Sequence, residues 1–352
     1  MTTTNLHHAD QIIAALPYLI GFAPTDSLVA LTIRDTREVG PVIRVDLPRP
    51  ADHWPMAEHL AEILTAHRVE DALLIVVGGR EPLHDKPFVH AVTQTLVESG
   101  VSVEHAFWTR AVEAGQPWLS YESPDFTGTV ADPDSSALAA QFTVQGVVVY
   151  PSREAMADSL AADPDADLDR RAALIDELAA HHADDAVADK LALVHQVIED
   201  FDGPPTRDSR LLSTVAPPGP AHTTDPAPTD PDLDDTRLAR LAIALSDPEV
   251  REACMSIPLG SRDRPAARLW TRLTRSLPAP ERAEAAFHLA VGAYLRGDGV
   301  YARVALGVAL AADPRHSLAA LLDSAAHHGI PPTDLRDLIA QVQVKSTQAR
   351  PG

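Results

Sequence analysis

Cysteine is nearly absent: Cys254 is the only one in 352 residues. A single thiol excludes a disulfide framework within the chain and any cysteine-rich zinc site. Cys254 itself reads as a small buried apolar side chain. Positive charge is also scarce. Lys and Arg number 29 against 50 Asp and Glu, a formal net charge of −21. That balance argues against nonspecific binding of DNA or RNA, whose phosphates call for a basic surface. It argues equally against docking on anionic lipid. No run approaches the roughly 18 apolar residues of a membrane-crossing helix. The first ten residues, MTTTNLHHAD, lack the basic and apolar regions of a secretory signal. The expected compartment is the cytoplasm, with no nucleic-acid and no membrane partner. The standard catalytic and phosphate-loop signatures are missing too: no G-x-S-x-G, no H-E-x-x-H, no G-x-G-x-x-G and no Gly-Lys-Ser/Thr loop.

What is present is an alternation of elements over the first half of the chain. SLVALTIR (27–34) and VIRVDLP (42–48) read as two strands joined by a loop. ADHWPMAEHLAEILTAHR (51–68) reads as a helix with Pro55 in its first turn and with Trp54, Ala57, Leu60, Ala61 and Leu64 on one side. DALLIVVGG (71–79) is apolar on both faces, as a central strand is. A helix over 87–99, stopped by Gly100, precedes a strand over 101–107. GQPWLSYE and VQGVVVY add further strands, the second followed by a helix after Ser152.

From about Asp165 the pattern turns helical, and 202–235 then carries eight prolines with little apolar material. Beyond it, the Asp-Pro pairs that close LAIALSDP and LGVALAADP lie 66 residues apart (313 − 247). That is close to two periods of the roughly 34-residue tetratricopeptide unit. The predicted fold is α/β, a mixed, mostly parallel sheet flanked by helices, followed by an all-helical tail resembling tetratricopeptide-type hairpins. The expected boundaries are an α/β domain over 1–162, a helical segment packed on it over 163–201, a Pro-rich linker over 202–235 and the tail over 236–352.

Candidate site residues are few. Alternation puts Arg44 and Asp46 on one side of the second strand, and a symmetric hairpin brings Thr32 and Arg34 to the same face. Asp26 and Ser27 open the first strand. Such a cluster suits a polar ligand, with Arg44 as the fork; a plain Arg–Asp pair on a solvated face gives the same pattern. Gly78, Gly79 and Arg80 follow the central strand, where α/β sheets hold ligands; a tight strand-exit turn explains the glycines equally well. His84, Asp85 and His90 have no standard metal-ligand spacing. No metal and no cofactor is expected.

The stretch LPYLIGFAPTDSLVALTI, with Pro17, Leu19, Gly21, Phe22, Pro24, Ser27 and Leu28, resembles the signature of the actinobacterial domain of unknown function family 4192. RVDLP, PWLSY and the tail's LW (269–270), GDG (297–299) and DP (313–314) extend the resemblance over most of the chain. Members often carry cysteines after the Trp-x-x-Tyr region; here that place reads ESPDFTG. The resemblance implies fold boundaries and no reaction. Phe22 is expected to be a buried anchor. The leading expectation is a non-enzymatic interaction or regulatory protein whose helical tail binds a protein partner. The alternative is a hydrolase or transferase acting on a small polar or phosphorylated molecule at the α/β domain.

Overall fold

The computed structural model describes residues 9–33, 39–79, 81–82, 84–123, 125–135, 139, 148–164, 166–182, 185–202, 231 and 233–348. Arg34, Arg80, the first four residues of VQGVVVY (144–147) and most of the segment read as a linker lie outside these. The chain divides into two compact units, residues 1–155 with 328–331, and residues 156–327 with 332–352. No described helix is long and apolar enough to cross a membrane.

The first unit is built on a six-stranded sheet. Its elements run α1 (Ala9–Ile20), β1 (Ser27–Ile33), β2 (Val39–Asp46), α2 (His53–Ala66), β3 (Asp71–Val77), α3 (Lys86–Glu98), β4 (Ser102–Thr109), β5 (Pro117–Ser120) and β6 (Thr127–Thr129). The strand order is β2-β1-β3-β4-β5-β6. Among the described strands only β3 and β4 pair in parallel; the other four pairings are antiparallel. The expected mostly parallel sheet is therefore corrected to a mixed, mostly antiparallel one. The cause lies in the connections. The helical crossover α2 carries the chain from β2 past β1, so β3 arrives beside an antiparallel neighbour. The β4-β5 and β5-β6 links hold no helix, and links of that length suit antiparallel neighbours.

β1 and β3 are buried on both faces, as continuous aliphatic runs require. On one face Leu28, Ala30, Leu74, Val76 and Trp108 pack with Leu60 and Leu64 of α2 and with Phe88, Val92 and Leu96 of α3. Each such side chain contributes about 1.5–3 kcal/mol by leaving water. Trp54, expected on the inner side of α2, is instead 48% exposed. It sits in the helix's first turn, ahead of the buried stripe that starts at Ala57. α1 buries Ile12, Ile13, Leu16 and Ile20, and Phe22 is buried just after it, as expected of an anchor. Tyr150 and Phe22 form a parallel bridge.

The second unit is helical. After α4 (Arg153–Asp158), which straddles the division, come α5 (Leu168–His182), α6 (Val187–Asp200), α7 (Asp235–Ser246), α8 (Pro248–Cys254), α9 (Asp263–Ser276), α10 (Arg282–Leu295), α11 (Gly299–Ala312), α12 (Ser317–His327) and α13 (Pro332–Gln348). The units divide the chain differently from the sequence-based boundaries, since α5 and α6 group with the later helices. Charge pairing ties them there. Arg170 and Arg171 both pair with Asp235, and Lys190 reaches Asp247 at 2.9 Å. Asp163 takes Arg272 at 3.1 Å and Arg275 at 2.5 Å.

Candidate functional site

The site of the first unit is a turn at the carboxyl end of β3. Antiparallel pairing sets Ser27 against Val77, which carries Asp26 alongside Gly78. Both residues have left-handed backbones, Asp26 at φ 41° and Gly78 at φ 94°. Aspartate tolerates this region better than most residues. Glycine is required at 78, because a Cβ there would come within 2.6 Å of Asp26 Oδ1 and 2.7 Å of its backbone nitrogen. Gly79 has φ 83°, and its Cβ would come within 2.8 Å of Asp85 Oδ2.

Hydrogen bonds lock the turn. Gly79 N–H donates to Asp26 Oδ1 at 2.9 Å. Gly78 N–H donates to the Thr109 carbonyl at 2.9 Å, and the Trp108 indole donates to the Gly78 carbonyl at 2.8 Å. Both glycine N–H groups are thus used within the protein, and their closest acidic neighbours are carboxylates. The arrangement does not offer the free N–H groups that an anion cradle needs.

Asp85 ends the turn, just ahead of α3. Its Oδ2 is buried and has no hydrogen-bond partner among the described residues. Burial raises its pKa, the nearby His84 and His53 oppose that, and Asp26 adds to it. Tyr121, which follows β5, is 8% exposed, and its hydroxyl is likewise buried without a partner among the described residues. Burial raises the phenol's pKa and the Asp85 charge raises it further. Two orphaned polar groups therefore lie within electrostatic reach of each other beside the glycine turn. Among the described residues no group of three or more His, Cys, Asp and Glu is arranged to hold a metal ion.

The other sequence candidates fall into a separate cluster. Arg44 and Asp46 share a face of β2 and pair at 2.6 Å. The register sets Ser27 opposite Asp46 and Val29 opposite Arg44. Ser27 therefore joins them, while Thr32 belongs to the opposite face and donates to the Pro41 carbonyl at 2.8 Å. The expected grouping of Thr32 with Arg44 is corrected by this register, since a one-residue change of pairing exchanges the faces. Arg44 Nε donates to Ser27 Oγ at 2.9 Å, and its guanidinium lies 5.6 Å from the Phe22 ring centroid. The Ser27 hydroxyl, fully buried, donates to the Thr25 carbonyl. This is a closed structural network in which the Asp46 side chain is well exposed.

Of the sequence candidates, Asp26, Gly78 and Gly79 meet in one place, and Ser27, Arg44 and Asp46 in another. Asp85 entered the sequence reading only as a metal candidate, and Tyr121 only through the Trp-x-x-Tyr stretch. Nothing in their spacing announces that they meet.

Fold and site together define a two-unit protein: an α/β unit with a carboxyl-lined turn, and a helical unit. The chain belongs to the family described as Domain of unknown function (DUF4192), whose model matches residues 10–333. No curated protein matches the chain, and no solved structure does.

Proposed function

We propose that the α/β unit binds a small polar molecule at the turn formed by Asp26, Gly78, Gly79 and Asp85. The observation that carries this reading is the pair of buried, unpartnered atoms, Asp85 Oδ2 and the Tyr121 hydroxyl. Buried polar groups are nearly always hydrogen-bonded, and a ligand meets that need. The location agrees, because ligands of α/β sheets sit beyond the carboxyl ends of their parallel strands. The chemistry favours a ligand with donor groups over a phosphorylated one, since Asp26 and Asp85 both face the turn. Ser27, the hydroxyl that follows Asp26, is committed to the Thr25 carbonyl and gives no support to a serine-nucleophile hydrolase.

The test is an NMR screen of neutral and cationic polar metabolites against the wild type, Asp85→Asn and Tyr121→Phe. A ligand should shift the Gly78 and Gly79 amides and lose about tenfold in affinity in each variant, the loss of roughly one hydrogen bond. A ligand that binds both variants as tightly as the wild type sinks the reading.

A second reading rests on the tail. Leu321 of α12 is 66% exposed and Leu338 of α13 is 56% exposed, and exposed apolar surface is what a protein partner covers. The 66-residue recurrence of Asp-Pro belongs with this reading, because stacked helical hairpins present such surfaces. Crosslinking in the native cytosol tests it: a crosslinked partner lost in a Leu321→Glu, Leu338→Glu double variant supports it, and an unchanged crosslink pattern refutes it.

A further inference from the structure

A second group of buried polar atoms lies in the helical unit, well away in sequence from the site above. Glu284 and His288 stand one turn apart on α10, on the same face. Arg251 of α8 pairs with Glu284 Oε1 at 2.7 Å. His316, just ahead of α12, places Nε2 at 3.3 Å from Glu284 Oε2. Trp270 of α9 packs on the His288 ring at 5.1 Å between centroids, and Phe287 packs on His316 at 5.0 Å. Trp270 and His288 are each 1% exposed and His316 is 6% exposed.

Several polar atoms of these groups lack a hydrogen-bond partner among the described residues. Both ring nitrogens of His288, Trp270 Nε1, Arg251 Nε, His316 Nε2 and Glu284 Oε2 are buried with no hydrogen bond among the described residues. The 3.3 Å approach of His316 to Glu284 is an ion-pair distance without hydrogen-bond geometry. Ala319 N–H donates to His316 Nδ1 at 3.1 Å, so a neutral His316 carries its proton on Nε2. The group then presents N–H donors from Trp270, Arg251, His316 and one nitrogen of His288. Its acceptors are Glu284 Oε2 and the other nitrogen of His288.

We propose that this group is a binding site for a small neutral hydrogen-bonding molecule, and that internal water is its occupant. Charge argues for a neutral guest. Arg251 and Glu284 already compensate each other, so an added anion meets Glu284 and an added cation meets Arg251, each at the cost of a buried charge. An apolar guest leaves every one of these atoms unsatisfied. Water both donates and accepts, and buried waters typically make about three hydrogen bonds to groups of this kind.

The experiment reads the indole N–H signals of the full chain for cross-peaks to water. The four tryptophans, Trp54, Trp108, Trp118 and Trp270, give four signals, each assigned by its phenylalanine variant. Trp270 should show the NOE sign of a long-lived bound water, and His288→Phe should abolish it. Trp108, whose indole donates to the Gly78 carbonyl, serves as the dry reference. A Trp270 signal as free of water cross-peaks as Trp108 overturns the proposal. The wild-type spectrum decides even if His288→Phe fails to fold. Native mass spectrometry separates the two sources of a neutral guest: extra mass on the wild-type chain that His288→Phe lacks would overturn water as the occupant in favour of a small organic molecule.

Discussion

Gly78 and Asp26 touch so closely that one methyl group between them would lie 2.6 Å from the Asp26 carboxylate. Both have left-handed backbones. Gly78→Ala should therefore destabilise the protein by more than the about 1–3 kcal/mol that such a conformation alone costs a residue with a side chain. Gly100→Ala is the control, because Gly100 has φ 84° with nothing within 4 Å of the added Cβ. Urea unfolding of both variants should place the Gly78 midpoint clearly below the Gly100 midpoint. Equal midpoints would remove the steric argument.

Asp85 gives a pH-dependent outcome. Its pKa is raised in the folded state, chiefly by burial, so the folded protein binds its proton more readily than the unfolded chain does. Stability then falls as pH rises through the raised value. Asp85→Asn, which carries no charge, should raise Tm at pH 7, with the gain vanishing below the ordinary carboxylate range. A gain that is independent of pH would refute the burial argument. The same variant loses the proposed ligand, the trade of stability against function seen at many sites.

His288 works in the opposite sense. Burial, with Arg251 and His316 adding to it, lowers its pKa from 6.5 to about 3. Between those values the unfolded chain takes up a proton that the folded protein refuses, so stability declines as pH falls through this window. One proton corresponds to at most about 1.4 kcal/mol per pH unit. His288→Phe should flatten the stability profile between pH 6 and about 4, as measured by urea unfolding at each pH. An unchanged slope would show that another group carries the acid sensitivity.

Phe22 and Asp46 touch the same arginine with opposite consequences. Phe22 is 2% exposed, and Phe22→Ala should cost about 3–5 kcal/mol. Asp46 has an 81% exposed side chain, and Asp46→Asn should cost under about 1 kcal/mol. Thermal melts of the two variants decide this; a variant at position 46 as damaging as the one at 22 would give the ion pair the weight now assigned to the aromatic anchor.

The elements of the sheet were legible because their signals are local. β1 and β3 are continuous aliphatic runs, and α3 stops at Gly100. The side of β2 that carries Arg44 and Asp46 follows from alternation alone. What faces that side does not, because the pairing of Ser27 with Asp46 depends on where the hairpin closes. The mostly parallel sheet fails for a related reason: a helix between two strands sets their direction but not their adjacency, and here β1 lies between β2 and β3. Asp85 and Tyr121 were illegible as a pair. Asp85 precedes α3 and Tyr121 follows β5, and the electrostatic influence of one on the other arises from tertiary packing that no sequence spacing encodes.

Among the described residues the sheet ends at β2 on one side and at β6 on the other. β2 contains Pro41, which has no N–H to offer, and the charged pair Arg44 and Asp46. β6 is three residues long, with Gly128 pressed onto the Trp118 ring. Short strands, prolines and charges at the margins are the devices by which β-proteins discourage strand-by-strand growth into aggregates. The residues that close the Arg44 network thus also blunt one margin of the sheet against self-assembly.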